Sequence, residues 1–267
     1  MAEPFVRSDI DSFVALAKEE GWVTGEWELE FLLQSFPQGC RVRREDGRGV
    51  GYITSVRHGN SGWIGNLLVK SEARRRGIGF ELMKDALAAL QDCAVATVWL
   101  TASAKGAGLY RKLGFVSIDS INRWVGEGKG GAVPCDAMPC EPEAIRQVDR
   151  AGWGDRRDAL LQTTCGRGRI FRGSCSFLCC QPWEDGTQLG PWGSLLESQA
   201  EPLLDLALSS VNGRVFLDVP AGNLAAASLL ARRGFSLRGS STLMYLGARP
   251  HFEPKKVFGL ASMGSMG

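Results

Sequence analysis

The sequence predicts an α/β chain of two similar halves, each a mixed sheet flanked by helices, and three observations carry the prediction. The first is Trp63 to Leu90, WIGNLLVKSEARRRGIGFELMKDALAAL, which reads as a strand, a polar turn with two glycines, and a helix whose Met83, Ala86, Leu87 and Leu90 share one face. The second is the apolar run Ala94 to Leu100, with Thr97 as its one polar residue, as expected of a strand buried on both faces. The third is a worn internal repeat. Leu229-Leu230-Ala231-Arg232-Arg233-Gly234-Phe235 echoes Leu109-Tyr110-Arg111-Lys112-Leu113-Gly114-Phe115, and Gly152-Trp153 with Leu160-Leu161-Gln162 echoes Gly21-Trp22 with Leu32-Leu33-Gln34.

In chain order, Ser8 with Asp11 resembles a helix cap, and Phe13, Leu16 and Ala17 follow at helical spacing. A second helix spans about Glu26 to Gln34 after the break at Gly21. Cys40 to Arg43 and Val50 to Val56 read as strands joined by the turn Glu45-Asp46-Gly47-Arg48, and a turn at His58 to Gly62 leads into the central strand. A helix closing at Gly114 follows the buried strand. GEGKGG, Gly126 to Gly131, reads as a flexible linker. Beyond it, Ser174 to Gln181, Thr187 to Trp192 and Val215 to Val219 read as strands and Glu197 to Leu208 as a helix. The expected domains are 1–126, a linker 127–133, a second domain 134–247, and a tail 248–267 whose end, Val257 to Gly267, is expected to be loose from its Gly, Ser and Met content.

At 267 residues and 44% hydrophobic content, the chain can bury two ordinary cores. A formal net charge of +2 gives no electrostatic case for a nucleic-acid partner. The eight cysteines form no Cys-x-x-Cys pair and there are two histidines, so no metal site is expected. Cys175, Cys179 and Cys180 read as buried thiols of a strand, with the last two on opposite faces. No signal peptide and no membrane span is apparent, which leads to the expectation of a reduced, cytoplasmic protein, a monomer or homodimer.

The turn Arg74-Arg75-Arg76-Gly77-Ile78-Gly79 is the first carrier of chemistry. Bare amides at a helix N-terminus, opened by glycines and flanked by cations, suit a phosphate or pyrophosphate. It is not a P-loop, because no Gly-Lys-Ser/Thr closes it, and not a dinucleotide fingerprint, because no third glycine follows Gly79. Arg-x-x-Gly-x-Gly between a strand and a helix resembles the acetyl-coenzyme A loop of the GNAT acetyltransferases, many of which carry glycine where Arg75 stands. The second carrier, Tyr110 four residues before Gly114-Phe115, resembles that family's other signature. The spacing of the two motifs makes the resemblance strong, and the repeat makes the chain similar to tandem GNAT proteins with one complete and one reduced GNAT-like fold.

The resemblance implies acetyl-CoA as co-substrate and direct attack by a small-molecule or amino-acid-like primary amine on the thioester. It implies coenzyme contacts from Leu67, Leu68 and Val69 on the strand, from Arg74, Arg75, Arg76, Gly77, Ile78 and Gly79 in the turn, and from Ser103. A main-chain amide near Leu68 would face the oxyanion, and Tyr110 would protonate the departing thiolate. Glu26, Glu28, Glu30 and His58 are open as the base. The second half offers Gly190-Pro191-Trp192-Gly193-Ser194-Leu195 in place of the turn and Leu230 in place of Tyr110, so chemistry is expected in the first half. There the second half would help shape the acceptor pocket, and Asn223, matching Ser103, would cap a helix. Two other readings stand beside this one: an acyl-CoA-binding sensor without turnover, and an acetyltransferase for a protein N-terminus or lysine. Trp22, Trp27, Trp153 and Trp192 hint at a closed aromatic pocket rather than an open groove.

Overall fold

The computed structural model describes residues 2–131 and 142–267, and its strands form a single sheet of twelve. A short edge strand β1 (Glu3–Pro4), helices α1 (Ile10–Glu19) and α2 (Glu26–Ser35), and antiparallel β2 (Arg41–Glu45), β3 (Arg48–Arg57) and β4 (Ser61–Val69) open the first half. α3 (Ile78–Gln91), β5 (Thr97–Ala102), α4 (Ala107–Lys112) and β6 (Val116–Lys129) complete it. The second half repeats the order with α5 (Pro142–Trp153), α6 (Asp158–Gly166), β7 (Arg169–Arg172), β8 (Ser176–Trp183), β9 (Gly186–Ser194), α7 (Ala200–Ser210), β10 (Asn212–Pro220), α8 (Leu224–Arg232) and β11 (Ser236–Gly247), and β12 (Val257–Gly259) follows. Among the described residues no helix is long and apolar enough to cross a membrane.

The sheet runs β1-β2-β3-β4-β5-β11-β6-β10-β9-β8-β7, with β12 beside β9. Its parallel pairs are β4–β5 and β9–β10, each bridged by a crossover helix as parallel neighbours require, α3 in one half and α7 in the other. The final strands have changed places. β11 of the second half lies against β5, Ala102 opposite Thr242, while β6 of the first half lies against β10, Ile121 opposite Pro220. The two halves are therefore hydrogen-bonded into one sheet.

The glycine-rich stretch read as a linker is strand as far as Lys129. Gly128 pairs with Gly213, and a Cβ there would lie 2.3 Å from the carbonyl oxygen of Val211. At Gly126 it would lie 2.8 Å from the Phe235 ring. These glycines serve close approach in a strand, not flexibility. Residues 132–133 of the expected linker, with Cys135 and Cys140, lie outside the described residues. The expected cap at Ser8 and Asp11 is replaced by Asp9, whose carboxylate accepts the Val6 amide at 2.9 Å and is held by Arg44.

One face of the sheet packs under α3 and α4, where Leu82, Met83, Ala86, Leu87 and Leu90 meet Ile53, Ile64 and Leu100. On the other face Phe13, Leu29 and Leu32 of α1 and α2 join Trp63 and Trp99 of the sheet, Trp153 and Leu160 of the second half, and Leu260, Ala261 and Met266 of the tail. The segment expected to be loose is thus core: its small residues fit a seam too narrow for larger ones. The Gly264 carbonyl accepts from Trp63 Nε1 at 3.1 Å and from Thr101 Oγ1 at 3.2 Å, and Gln181 and Gln188 reach the carbonyls of Ala261 and Leu260. At Gly65 a Cβ would stand 2.3 Å from the Ser265 carbonyl oxygen and 2.8 Å from its Cα, so only glycine lets β4 receive the tail. Gly65→Ala is expected to lower stability by about 1–3 kcal/mol in chemical denaturation and to shift Trp63 fluorescence as its indole loses the Gly264 carbonyl. A stability equal to the parent's would refute this packing.

Candidate active site

β4 begins as an ordinary partner of β5, with Ser61, Gly62 and Trp63 opposite Thr97, Val98 and Trp99, and there the ladder stops. The cause lies on its other edge. Tyr52 pairs with Leu68 but Thr54 with Gly65, so β4 carries an extra residue at Asn66–Leu67, and Asn66 takes a left-handed φ of 56°. Such a bulge bends the strand and re-aims its polar groups. Asn66 is buried and donates through Nδ2 to Thr54 Oγ1 at 3.0 Å, which pins the bulge. The result is a cleft of about 1030 Å³ between β4 and the β5–α4 connection.

Leu67, Leu68 and Val69 form one wall, and Arg74, Arg75, Gly77, Ile78 and Gly79 form the end nearest α3. Among the described residues the amides of positions 75 to 79 make no backbone hydrogen bond, and Gly77 reverses the chain at φ 85° to aim them outward. Arg75 holds φ 63°, a left-handed conformation costing a non-glycine residue about 1 kcal/mol, which is why a glycine suits this position. Arg74 donates through Nε to the Val69 carbonyl at 2.9 Å and pairs with Glu20, so it braces the end of β4 as well as facing the cleft. Arg76 does not line the cleft: it pairs with Glu45 at 2.7 Å, away from the other two arginines.

The opposite wall is built by the turn after β5 and by α4. Ser103 accepts the Gly106 amide at 3.2 Å, starting α4, and Tyr110 faces the cleft one turn on. Tyr110 is 9% exposed and packs edge-on against Phe115, and burial pushes its phenol up to about 12. It therefore stays protonated through the neutral range and can donate a hydrogen bond. Lys105 and Lys112 stand at the same rim.

Away from α3 the cleft is lined by residues from both halves and the tail: Arg123 of β6, Asp218 of β10, Ser241 of β11, and Met263, Gly264 and Ser265. Arg123 holds both Asp218 oxygens, at 2.9 and 2.8 Å, across the exchanged strands. Of the four candidate bases, Glu26 is exposed and Glu30 pairs with Arg7 at 2.5 Å. Burial, with Arg157 nearby, holds the His58 imidazole down to about 4, and its Nε2 faces the Met266 carbonyl. Glu28 differs: it is 1% exposed, burial pushes it up to about 7, and it accepts from Ser265 Oγ at 2.8 Å.

In the second half β9 parts from β10 after Thr187 and Gln188 and bulges between Leu189 and Trp192 in the same way, but there β12 pairs with β9 at Trp192 and Gly193 and takes up the freed edge. Gly190 to Ser194, matched in sequence with the arginine turn, lie within β9, the counterpart of β4. The connection after it is a short 3-10 turn, Glu197–Gln199, running directly into α7. Leu230 is buried where Tyr110 would stand, and Asn223 caps α8 by accepting the Ala226 amide at 2.9 Å. Sequence reasoning missed Asn66, Arg123, Asp218 and the tail. Only Asn66 carried a signal, as a polar residue in an apolar strand. Among the described residues no group of three His, Cys, Asp or Glu side chains is placed to hold a metal.

The position of Glu28 affects folding. Its carboxyl binds a proton up to about pH 7 in the folded chain but only to about 4.5 when unfolded, so its stabilising effect, complete below 4.5, is lost as pH rises through 7. The loss is on the order of 3 kcal/mol. Glu28→Gln should be more stable than the parent above pH 7 and no more stable near pH 4.5, by denaturant titration at both; equal stability at both would refute the burial of this charge.

Comparison with known proteins bears on this geometry. The GNAT acetyltransferase domain family matches residues 37–117 and a second GNAT acetyltransferase domain family matches residues 145–259. No curated protein sequence matches the chain. A solved candidate acetyltransferase from Pyrococcus horikoshii is similar over 100% of this chain and 95% of its own, with a TM-score of 0.84 at 22% identity. A GCN5-related N-acetyltransferase from Sphaerobacter thermophilus is similar over 96% and 98%, with a TM-score of 0.64 at 14% identity. The structural likenesses speak for the fold, and the two domain matches together span well over half of the residues. With its two matched domains in tandem, the chain belongs to the GNAT acetyltransferase family.

Proposed function

We propose that the chain is an acetyl-CoA-dependent N-acetyltransferase acting on a small primary amine or amino-acid-like acceptor, with its chemistry in the first half. The observation that carries this reading is one cleft in which the bulged wall of β4, the bare amides that open α3 and the Tyr110 phenol all converge. The amides of positions 75 to 79, with Arg74 and Arg75, fit a pyrophosphate. The edge of β4 from Leu67 to Val69, freed of β5, offers main-chain groups to the amide-bearing arm of the coenzyme, which supplies the acyl thioester. A bulge amide near Leu68 stabilises negative charge on the acyl oxygen, a role of fixed dipoles in a water-poor site. Tyr110 donates to the sulfur as it leaves.

The lining away from α3 supports a small acceptor, because Arg123, Asp218, Ser241 and Ser265 offer it charged and hydrogen-bonding groups, with Asp218 and Ser265 buried. Trp22 is exposed at the rim, whereas Trp153 and Trp192 are core and Trp27 lies under Arg167 and does not line the cleft, so the aromatic hint narrows to one residue.

With acetyl-CoA and a panel of amines, thioester cleavage should rise above its rate in water, and Tyr110→Phe should lower kcat about 100-fold or more with calorimetric affinity for coenzyme A unchanged. Binding without turnover, untouched by the substitution, would identify a sensor instead, and absence of any heat with coenzyme A would reject the reading.

A further inference from the structure

A primary amine is an ammonium ion at neutral pH, since its pKa is about 10.4, and none of the groups so far assigned removes its proton. Glu28 stands behind the cleft residue Ser265, on the buried face of α2 that also carries the core residues Leu29 and Leu32. Among the described residues the two cations that act on it, Arg123 and Arg167, are engaged elsewhere. Arg123 of β6 gives its hydrogen bonds to Asp218 of β10 and to the Met263 carbonyl. Arg167, after α6, gives its own to Gln181 and the Pro182 carbonyl and lies over the Trp27 ring. On its own helix Glu26 is exposed and Glu30 is paired with Arg7. Apart from the Gly25 amide, the polar partner of the carboxyl is Ser265 Oγ at 2.8 Å. Ser265 lines the same cleft as Leu68 and Tyr110, and the contact at Gly65 fixes it against β4.

A buried carboxyl without an ion pair is costly. This one is joined to the cleft by a single hydroxyl. We infer that Glu28, acting through the hydroxyl of Ser265, is the proton acceptor for the attacking amine. The inference rests on the acetyltransferase reading. Ser265 is the contact with the amine, and Glu28 is the positioning residue that stores the proton behind it. The ammonium gives one proton to Ser265 Oγ while Ser265 passes its own to the Glu28 carboxylate. The nitrogen lone pair so freed forms the C–N bond, and the C–S bond breaks. The sulfur takes the Tyr110 proton, and the phenol is restored by the second proton leaving nitrogen. Glu28 returns its proton to solvent by the same hydroxyl, so one proton is released for each amide and thiol formed. A carboxyl that burial holds near neutrality is matched to this exchange.

The test uses the full chain. Glu28→Gln keeps the shape and still accepts from Ser265 but takes no proton. With acetyl-CoA and the amine panel, and with water as the ever-present acceptor, it should cleave thioester about 100-fold more slowly than the parent at neutral pH and lose the rising limb of the pH profile. Coenzyme A affinity should be unchanged. Ser265→Ala should show the same loss, and Glu28→Asp should restore the limb. Infrared titration of the coenzyme-free chain gives a readout without turnover: a protonated-carboxyl band that fades through the neutral range and is absent in Glu28→Gln. A parent that cleaves thioester while Glu28→Gln keeps its rate and profile overturns the relay alone, as does the lack of a carboxyl titrating near neutrality. A parent that cleaves no thioester with any amine or with water overturns the relay together with the proposed function.

Discussion

The parting of β4 from β5 after three residue pairs is the constraint around which the molecule is arranged. Two adjacent parallel strands would ordinarily satisfy one another's backbone groups along their whole length. Here the bulge at Asn66 turns β4 aside, and its exposed edge becomes a binding surface rather than a defect. On one side of the opening the α3 N-terminus and α4 frame the cleft. On the other the tail wedges in, its Gly264 carbonyl bonded to Trp63 of β4 and Thr101 of β5 at once. The same gap therefore admits a ligand at one end and anchors the chain's own backbone at the other.

Strand exchange sets which half contributes what. Because β6 crosses to β10, Arg123 leaves the half that encodes it and meets Asp218 of the other, and the pair lines the cleft. Lacking the arginine turn and the tyrosine, the second half still shapes the site through β10, β11 and the tail. A division into one working and one inert domain describes the chemistry but not the walls.

The local motifs were legible in the sequence because they are local. Arg74 to Gly79 and Tyr110 to Phe115 are short runs whose glycines mark fixed dihedral needs, and Gly77 and Gly114 do adopt positive φ. The apolar periodicity of α3 and the run that became β5 came through for the same reason. What long-range contact decides did not come through. Gly126 and Gly128 were read as flexible because nothing nearby in sequence shows that Phe235 and Val211 will press on them. The tail was read as loose because small residues look alike in a free end and in a tight seam. Aligning Gly190 to Leu195 with the arginine turn failed because the second half has shortened that connection, which shifts a sequence match by most of a strand. Glu28 could not be separated from Glu26 and Glu30 until the tail was in place, since its burial comes from residues more than a hundred positions away.

The exchanged strands also bear on how such a chain can change over time. A duplicate that merely sat beside its twin could be lost once its own chemistry decayed. Here the worn copy supplies the neighbours of β5 and β6, and removing it would leave one edge of β5 and both edges of β6 unpaired and open to other chains. Its backbone is indispensable where its side chains are not, so drift is free to erase the motifs of the second copy while the copy itself stays.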